Sequence, residues 1–290
     1  MSKLKFHNIL HLSYAEVAEA AKTRDTIIIP VGSCEKHGAH VPLGTDTFIT
    51  QGVVERAAEL ADVLHTPMIP VGYSPHHMGE LGQLTGTLTF SPPTYNAVLY
   101  DIGRSLVFHG FNRLIYATHH GSNTKLIDGF MRRLRYETNC FVCYYKTPTE
   151  RECHVVADII EGPPEETPGW HAGEIETAMI MAVDPRMVDM KRAVKDKAHA
   201  PKWMGPAFSK RDGTNTVIFQ GSENIFIPML HHEYSDTATI GNPLRSSVEQ
   251  GDAVFERIGN HLAAFLEEVK KFPFKVPDEK RDWPGRFWRG

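Results

Sequence analysis

Ile27-Ile28-Ile29-Pro30-Val31-Gly32-Ser33-Cys34-Glu35-Lys36-His37-Gly38-Ala39-His40-Val41-Pro42-Leu43-Gly44-Thr45-Asp46 decides how the rest of the chain is read. Its first five residues form an apolar run of the kind that fills a parallel strand buried on both faces. The amphipathic segment from Thr47 to Leu64 reads as a helix. Glu35, His37 and Asp46 therefore gather at the carboxyl end of a strand, where open α/β sheets hold their ligands. Glu35 and His37 are two apart, so in extended backbone both point to one side. Two carboxylates and an imidazole are donors that borderline divalent metals accept, and a bridging carboxylate would let the cluster hold a pair of ions. The competing reading makes Asp46 and Thr45 a helix cap and pairs Glu35 with Lys36.

Outward from this stretch, strand and helix signals alternate, the mark of a βαβ sheet covered on both faces. Thr66 to Tyr73 reads as a second strand ending in His76-His77, followed by a Gly-rich loop, Gly79 to Gly86, and a short run, Thr87 to Phe90. Ser91-Pro92-Pro93 is a helix start, with Gly110 as its C-terminal cap. Arg113 to Thr118 reads as a buried strand ending in His119-His120-Gly121-Ser122-Asn123. A helix then runs to about Arg135, a strand covers Cys140 to Lys146, and a helix covers Thr149 to Ile160. After a Pro/Gly/Glu-rich loop, Trp170-His171-Ala172-Gly173-Glu174-Ile175-Glu176 leads into an apolar helix. Residues 185 to about 245 show little periodicity, and Ser247 to Lys271 is an amphipathic final helix. Residues 1–272 read as one α/β hydrolase domain. Residues 273–290 read as an irregular Pro/aromatic tail lying on the body or on a neighbouring subunit.

Bulk composition narrows the function. A net charge of -4 offers no basic field for nucleic acid and no polybasic membrane anchor. No apolar run approaches a membrane span, and the start lacks a signal-peptide core, so a cytoplasmic protein is expected. Cys140 and Cys143 form a Cys-x-x-Cys pair inside a strand-like stretch; buried reduced thiols are the simpler reading, a redox pair the alternative. The unusual feature is 16 histidines, many at strand ends: His37, His40, His76, His77, His119, His120 and His171. At His119-His120 one ring would face the cluster and the other support it. Near His171, Glu174 and Glu176 each have a reading as cleft carboxylates, against the bland one of acidic residues favoured in a helix's first turn.

Three stretches in order, Gly-Ser-x-Glu-x-His-Gly-x-His-x-Pro-x-x-Thr-Asp from Gly32, His-Gly-x-Asn from His120, and His-Ala-Gly-Glu-x-Glu-Thr from His171, resemble the creatininase (creatinine amidohydrolase) family over residues 25 to 270 or so. The resemblance implies a three-layer α/β/α sandwich around a mostly parallel sheet, homo-oligomers that are often hexamers, and two divalent ions of zinc, manganese or iron. Glu35, Asp46 and His120 would hold one ion. His37, the shared Asp46 and a further glutamate would hold the other. Ser122 stands where creatininase proper has that glutamate, so Glu174 is expected to serve, with Glu176 as the alternative. His171 matches the proton-transfer histidine, with Glu176 orienting it, and Tyr73, His77 and His119 would line a pocket for a small-molecule substrate. The implied reaction is attack by a metal-bridged hydroxide on a carbonyl of a small, cyclic amide. Ring opening of a keto-inositol by carbon–carbon hydrolysis is the second expectation, and a non-catalytic metal- or ligand-binding protein the third.

Overall fold

The computed structural model describes residues 3–150, 153–163, 166 and 170–282. Four parallel strands, β1 (Thr26–Pro30), β2 (Leu64–His65), β3 (Arg113–Thr118) and β4 (Phe141–Lys146), lie in the order β2-β1-β3-β4. Side chains alternate across the sheet, and the register puts Ile28 opposite Ile115 and Ile27 opposite Leu114. Ile28 and Ile115 enter the core beneath α2 (Thr45–Ala61), α5 (Glu174–Val183) and α7 (Val248–Val269). Ile27, Ile29, Leu114 and Tyr116 enter the opposite core with α1 (Tyr14–Ala21), α3 (Pro92–Phe108) and α4 (Ile127–Thr138). The result is an α/β/α sandwich. Each isoleucine of β1 is wholly buried, a contribution of about 1.5–3 kcal/mol apiece.

A smaller antiparallel sheet, β5 (Phe208–Ser209), β6 (Thr216–Phe219) and β7 (Ser222–Phe226), comes from the aperiodic segment. With the short helix α6 (His231–Tyr234) it closes its own cluster around Val217, Tyr234 and Ile240.

Two sequence expectations fail for local reasons. Thr66 to Tyr73 is not a continuous strand: only Leu64–His65 is regular, and Ile69 and Gly72 make isolated bridges to Val31 and Thr89. Pro67 and Pro70 each remove a ladder donor. The helix expected over Thr149 to Ile160 is absent from the described residues there, which form turns; His154, with a φ of 61°, sits in the left-handed region that ends helical winding.

Residues 273–282 lie on the body. Val276 is buried in the second core, and Arg281 donates to the carbonyl of Val107 at 2.7 Å. Trp283, Phe287 and Trp288 of the expected aromatic tail fall outside the described residues. Cys140 and Cys143 are free thiols; burial raises both and pushes Cys143 up to about 12, which disfavours the thiolate that redox chemistry needs. Among the described residues no helix is long and apolar enough to cross a membrane.

Candidate metal centre

The site forms where β1 gives way to Gly32. A Cβ on Gly32 would lie 2.1 Å from Thr47 Oγ1 and 2.7 Å from Thr47 Cα, so only glycine lets the start of α2 lie against this loop. Thr47 Oγ1 donates to the carbonyl of Ser33 at 2.7 Å, and Ser33 Oγ donates to Asp46 Oδ2 at 2.5 Å. Asp46 is thereby fixed beside Glu35 and His37. His119 and His120 arrive from the end of β3, and Glu176 from the first turn of α5.

Two groups of donors share Asp46, beside a third made of Glu35, His37 and His171. Glu35, Asp46 and His120 form one, His37, Asp46 and Glu176 the other; within each, the donor atoms lie within 4.8 Å of one another, and all are buried. Asp46 belongs to both. The orientation of each imidazole is set from its far side. His37 Nδ1–H donates to the carbonyl of Glu35 at 3.1 Å, which leaves Nε2 as a lone pair. That lone pair faces Asp46 Oδ2 and Glu176 Oε2 at 3.7 Å and Glu35 Oε1 at 3.8 Å. His120 Nε2–H donates to the carbonyl of Tyr73 at 3.0 Å, so its Nδ1 lone pair faces Asp46 Oδ2 at 3.2 Å. A lone pair set against carboxylate oxygens is repulsive unless a cation lies among them or the ring gains a proton.

Charge balance points the same way. Glu35, Asp46 and Glu176 are buried, and their ion-pair partners among the described residues are histidines, with no lysine or arginine. Burial raises the Glu35 carboxyl. Burial also works to raise Asp46, but His37, His120 and His119 hold it well below the usual range. For His120, burial acts to lower the pKa and is overridden by Glu35 and Asp46, which bring it to about 9. The carboxylates thus draw protons onto imidazoles, the role a divalent ion fills. Glu35 Oε2 is buried, with His120 Nε2 at 3.2 Å but no well-aligned hydrogen bond. The residues present fit a pair of divalent ions with N and O donors.

The remaining expected residues divide. Glu174 does not join the donors. Its carboxylate accepts from the backbone N–H of Glu161 (2.6 Å) and Gly162 (2.9 Å) and from Gln250 Nε2 (2.7 Å). Both glutamates lie in the first turn of α5, and two residues along a helix is a rotation of about 200°, so only one of them can face the cleft. That one is Glu176. Nor does Glu176 orient His171; the carbonyl of Lys36 does, accepting from His171 Nε2–H at 2.7 Å. His171 Nδ1 then lies 3.9 Å from Glu35 Oε1, and burial with His37 and His231 nearby keeps the ring well below its usual pKa. His119 Nε2–H donates to Glu176 Oε1 at 3.0 Å, and Thr147 Oγ1 donates to its Nδ1 at 2.5 Å.

His77, His119 and His171 line a cavity of about 260 Å³ that opens onto the cluster. Tyr73 does not: its side chain packs against the second core, and its backbone carbonyl serves His120. The sequence reading missed Trp170, Thr214, His231 and Tyr234 on the cavity wall. The last three come from the aperiodic segment, where only the His231-His232 pair offered a signal.

A family model described as creatinine amidohydrolase matches residues 10–266. The chain belongs to the creatininase family. Among this family's curated members, the creatinine amidohydrolase of Pseudomonas putida is 30% identical over 218 residues, 71% of this chain and 81% of that protein. The 3-dehydro-scyllo-inosose hydrolase of Thermotoga maritima is 28% identical over 192 residues, 63% of this chain and 58% of that protein. A creatininase structure named as the Mn form superposes with a TM-score of 0.71 at 25% identity, covering 93% of this chain and all of that one. Membership in the creatininase family makes the chain a hydrolase.

Proposed function

We propose that the chain is a dinuclear-metal-dependent hydrolase that cleaves a C–N bond in a small, cyclic amide. The observation that carries this reading is the pair of donor groups sharing Asp46, with His37 Nε2 and His120 Nδ1 each turned inward onto its carboxylate. Glu35, Asp46 and His120 would hold one ion, and His37, Asp46 and Glu176 the other. Zinc, manganese and iron all suit these donors. When bound, such ions lower the pKa of a water and polarise a carbonyl.

The chain's own groups supply the rest. His171 Nδ1 carries a lone pair because its other nitrogen donates to Lys36. It takes the proton released by the attacking water and hands it to the leaving nitrogen, so one imidazole acts first as base and then as acid. His77 and His119 flank the substrate, and the cavity volume suits a single small ring. We propose the cytoplasm and a homo-oligomer, in keeping with the family.

A second reading, hydrolytic opening of a keto-cyclitol at a carbon–carbon bond, is favoured by the polar wall of His76, Ser122, Thr214 and Lys125 and by the inosose hydrolase relative. Turnover on a panel of lactams and keto-cyclitols, before and after chelation, tests both. Full activity in exhaustively demetallated protein would overturn the metal-dependent reading. His171→Ala is expected to lose turnover by about 10²–10⁴-fold with both ions retained; loss of an ion in that variant makes His171 a ligand instead.

A further inference from the structure

His77, His171 and His231 form a further cluster on the cavity wall. Their ring centroids make a nearly equilateral triangle: 4.4 Å between His77 and His231, 4.6 Å from His171 to each. One nitrogen of each ring lies within 4.8 Å of the others, and all three rings are buried. Two of them are already anchored from the far side. His171 Nε2–H donates to Lys36, and His77 Nε2 faces Glu35 Oε1 at 3.2 Å. The far-side partners fix which nitrogen of each ring is free to serve as a donor; these two rings stack at 19°, so one of them must turn for both lone pairs to meet a single ion. His77 Nδ1 has no hydrogen-bond partner, and neither nitrogen of His231 has one. Buried nitrogens rarely go unsatisfied without a reason, and these three rings stand on the wall of the cavity, where a cation can reach them.

We propose that His77, His171 and His231 form a third, imidazole-only cation site that takes zinc or nickel rather than manganese, and that filling it inhibits the enzyme. Ion selectivity follows from the donors, since neutral imidazole suits zinc and nickel while manganese favours oxygen. Inhibition follows from the lone pair: a cation on His171 Nδ1 occupies the electrons that proton transfer requires. That half of the inference rests on the role given to His171 above; the site itself does not.

Zinc is titrated into the zinc-loaded enzyme and bound metal is counted by mass spectrometry after equilibrium dialysis, alongside manganese as the comparison ion. Wild type is expected to hold one more equivalent of zinc than of manganese. His231→Asn and His77→Gln, checked for folding by circular dichroism, are each expected to bind one equivalent of zinc fewer than wild type, or to hold it at least tenfold more weakly. Either variant that folds decides the matter. The total bound reports on the dinuclear reading, and the difference between wild type and variant reports on this site. No difference overturns the third site. Turnover in wild type is expected to fall at least tenfold as the extra equivalent binds; unchanged turnover overturns the inhibitory role.

Discussion

Glu174 and Glu176 show how far a residue's neighbours along the chain can mislead about its role. Both are buried acids at the start of one helix. One closes the helix onto the Glu161–Gly162 backbone and Gln250; the other faces His37 and His119. Two opposite variants separate them. Glu176→Gln is expected to lose one of two bound ions and at least 10²-fold in turnover, with little change in the stability of the metal-free protein. Glu174→Ala is expected to keep both ions and lose about 3 kcal/mol, because it strands buried donors that were bonded to a charged group. Metal counting and urea denaturation on the two proteins check this, and a reversed pattern sinks the assignment. That Glu35, His37, Asp46 and His120 gather was legible because Glu35, His37 and His120 follow strands and Asp46 opens the next helix, places that pattern alone identifies. The choice between Glu174 and Glu176 was not, since it depends on the rotational setting of α5. His231 was invisible for a different reason: its segment has no period, and only tertiary packing brings it to the cavity.

Among the elements, β1, β3, β4, α2, α3 and α7 follow from apolar periodicity and caps, as with Ser247, whose Oγ accepts from Gln250 N–H at the start of α7. The second strand was misread where Pro67 and Pro70 override hydrophobicity. The small sheet of β5, β6 and β7 was not legible at all, because its strands are short and half-exposed. Lys210 holds that unit together: its Nζ donates to the carbonyls of Thr214 and Thr216 and lies over the Tyr234 ring. Burial pushes its pKa down to about 8 from 10.5, against the pull of Asp212. Between those values the unfolded chain holds more protons than the folded one, so stability from this group rises with pH, and its cost is fully present below pH 8. Compared by denaturant melts, wild type minus Lys210→Met should therefore grow more favourable from pH 8 to 10. A flat or falling difference would show that the ammonium is not carried at that cost.

At the scale of the whole molecule, the proposed metal centre is a junction between layers. Glu35 and His37 follow β1, Asp46 opens α2, His120 follows β3, and Glu176 lies in α5. Without a cation, buried carboxylates from three of these elements repel one another, and among the described residues the ion-pair partners that offset them are imidazoles. Ions held here, as proposed, would join the sheet to the helices on one face, so their free energy of binding would also be free energy of folding. Exhaustive chelation is expected to lower the melting temperature and to make it rise again with added zinc or manganese. The recovery should follow mass action, about 2.7 kcal/mol when free metal stands at a hundredfold its dissociation constant. Glu176→Gln should show a smaller recovery, having lost one donor, whereas Glu174→Ala should recover in full from a lower starting point. Scanning calorimetry on the three chelated proteins across a metal titration resolves both terms. A melting temperature indifferent to metal would mean that these acids are held by their histidines alone.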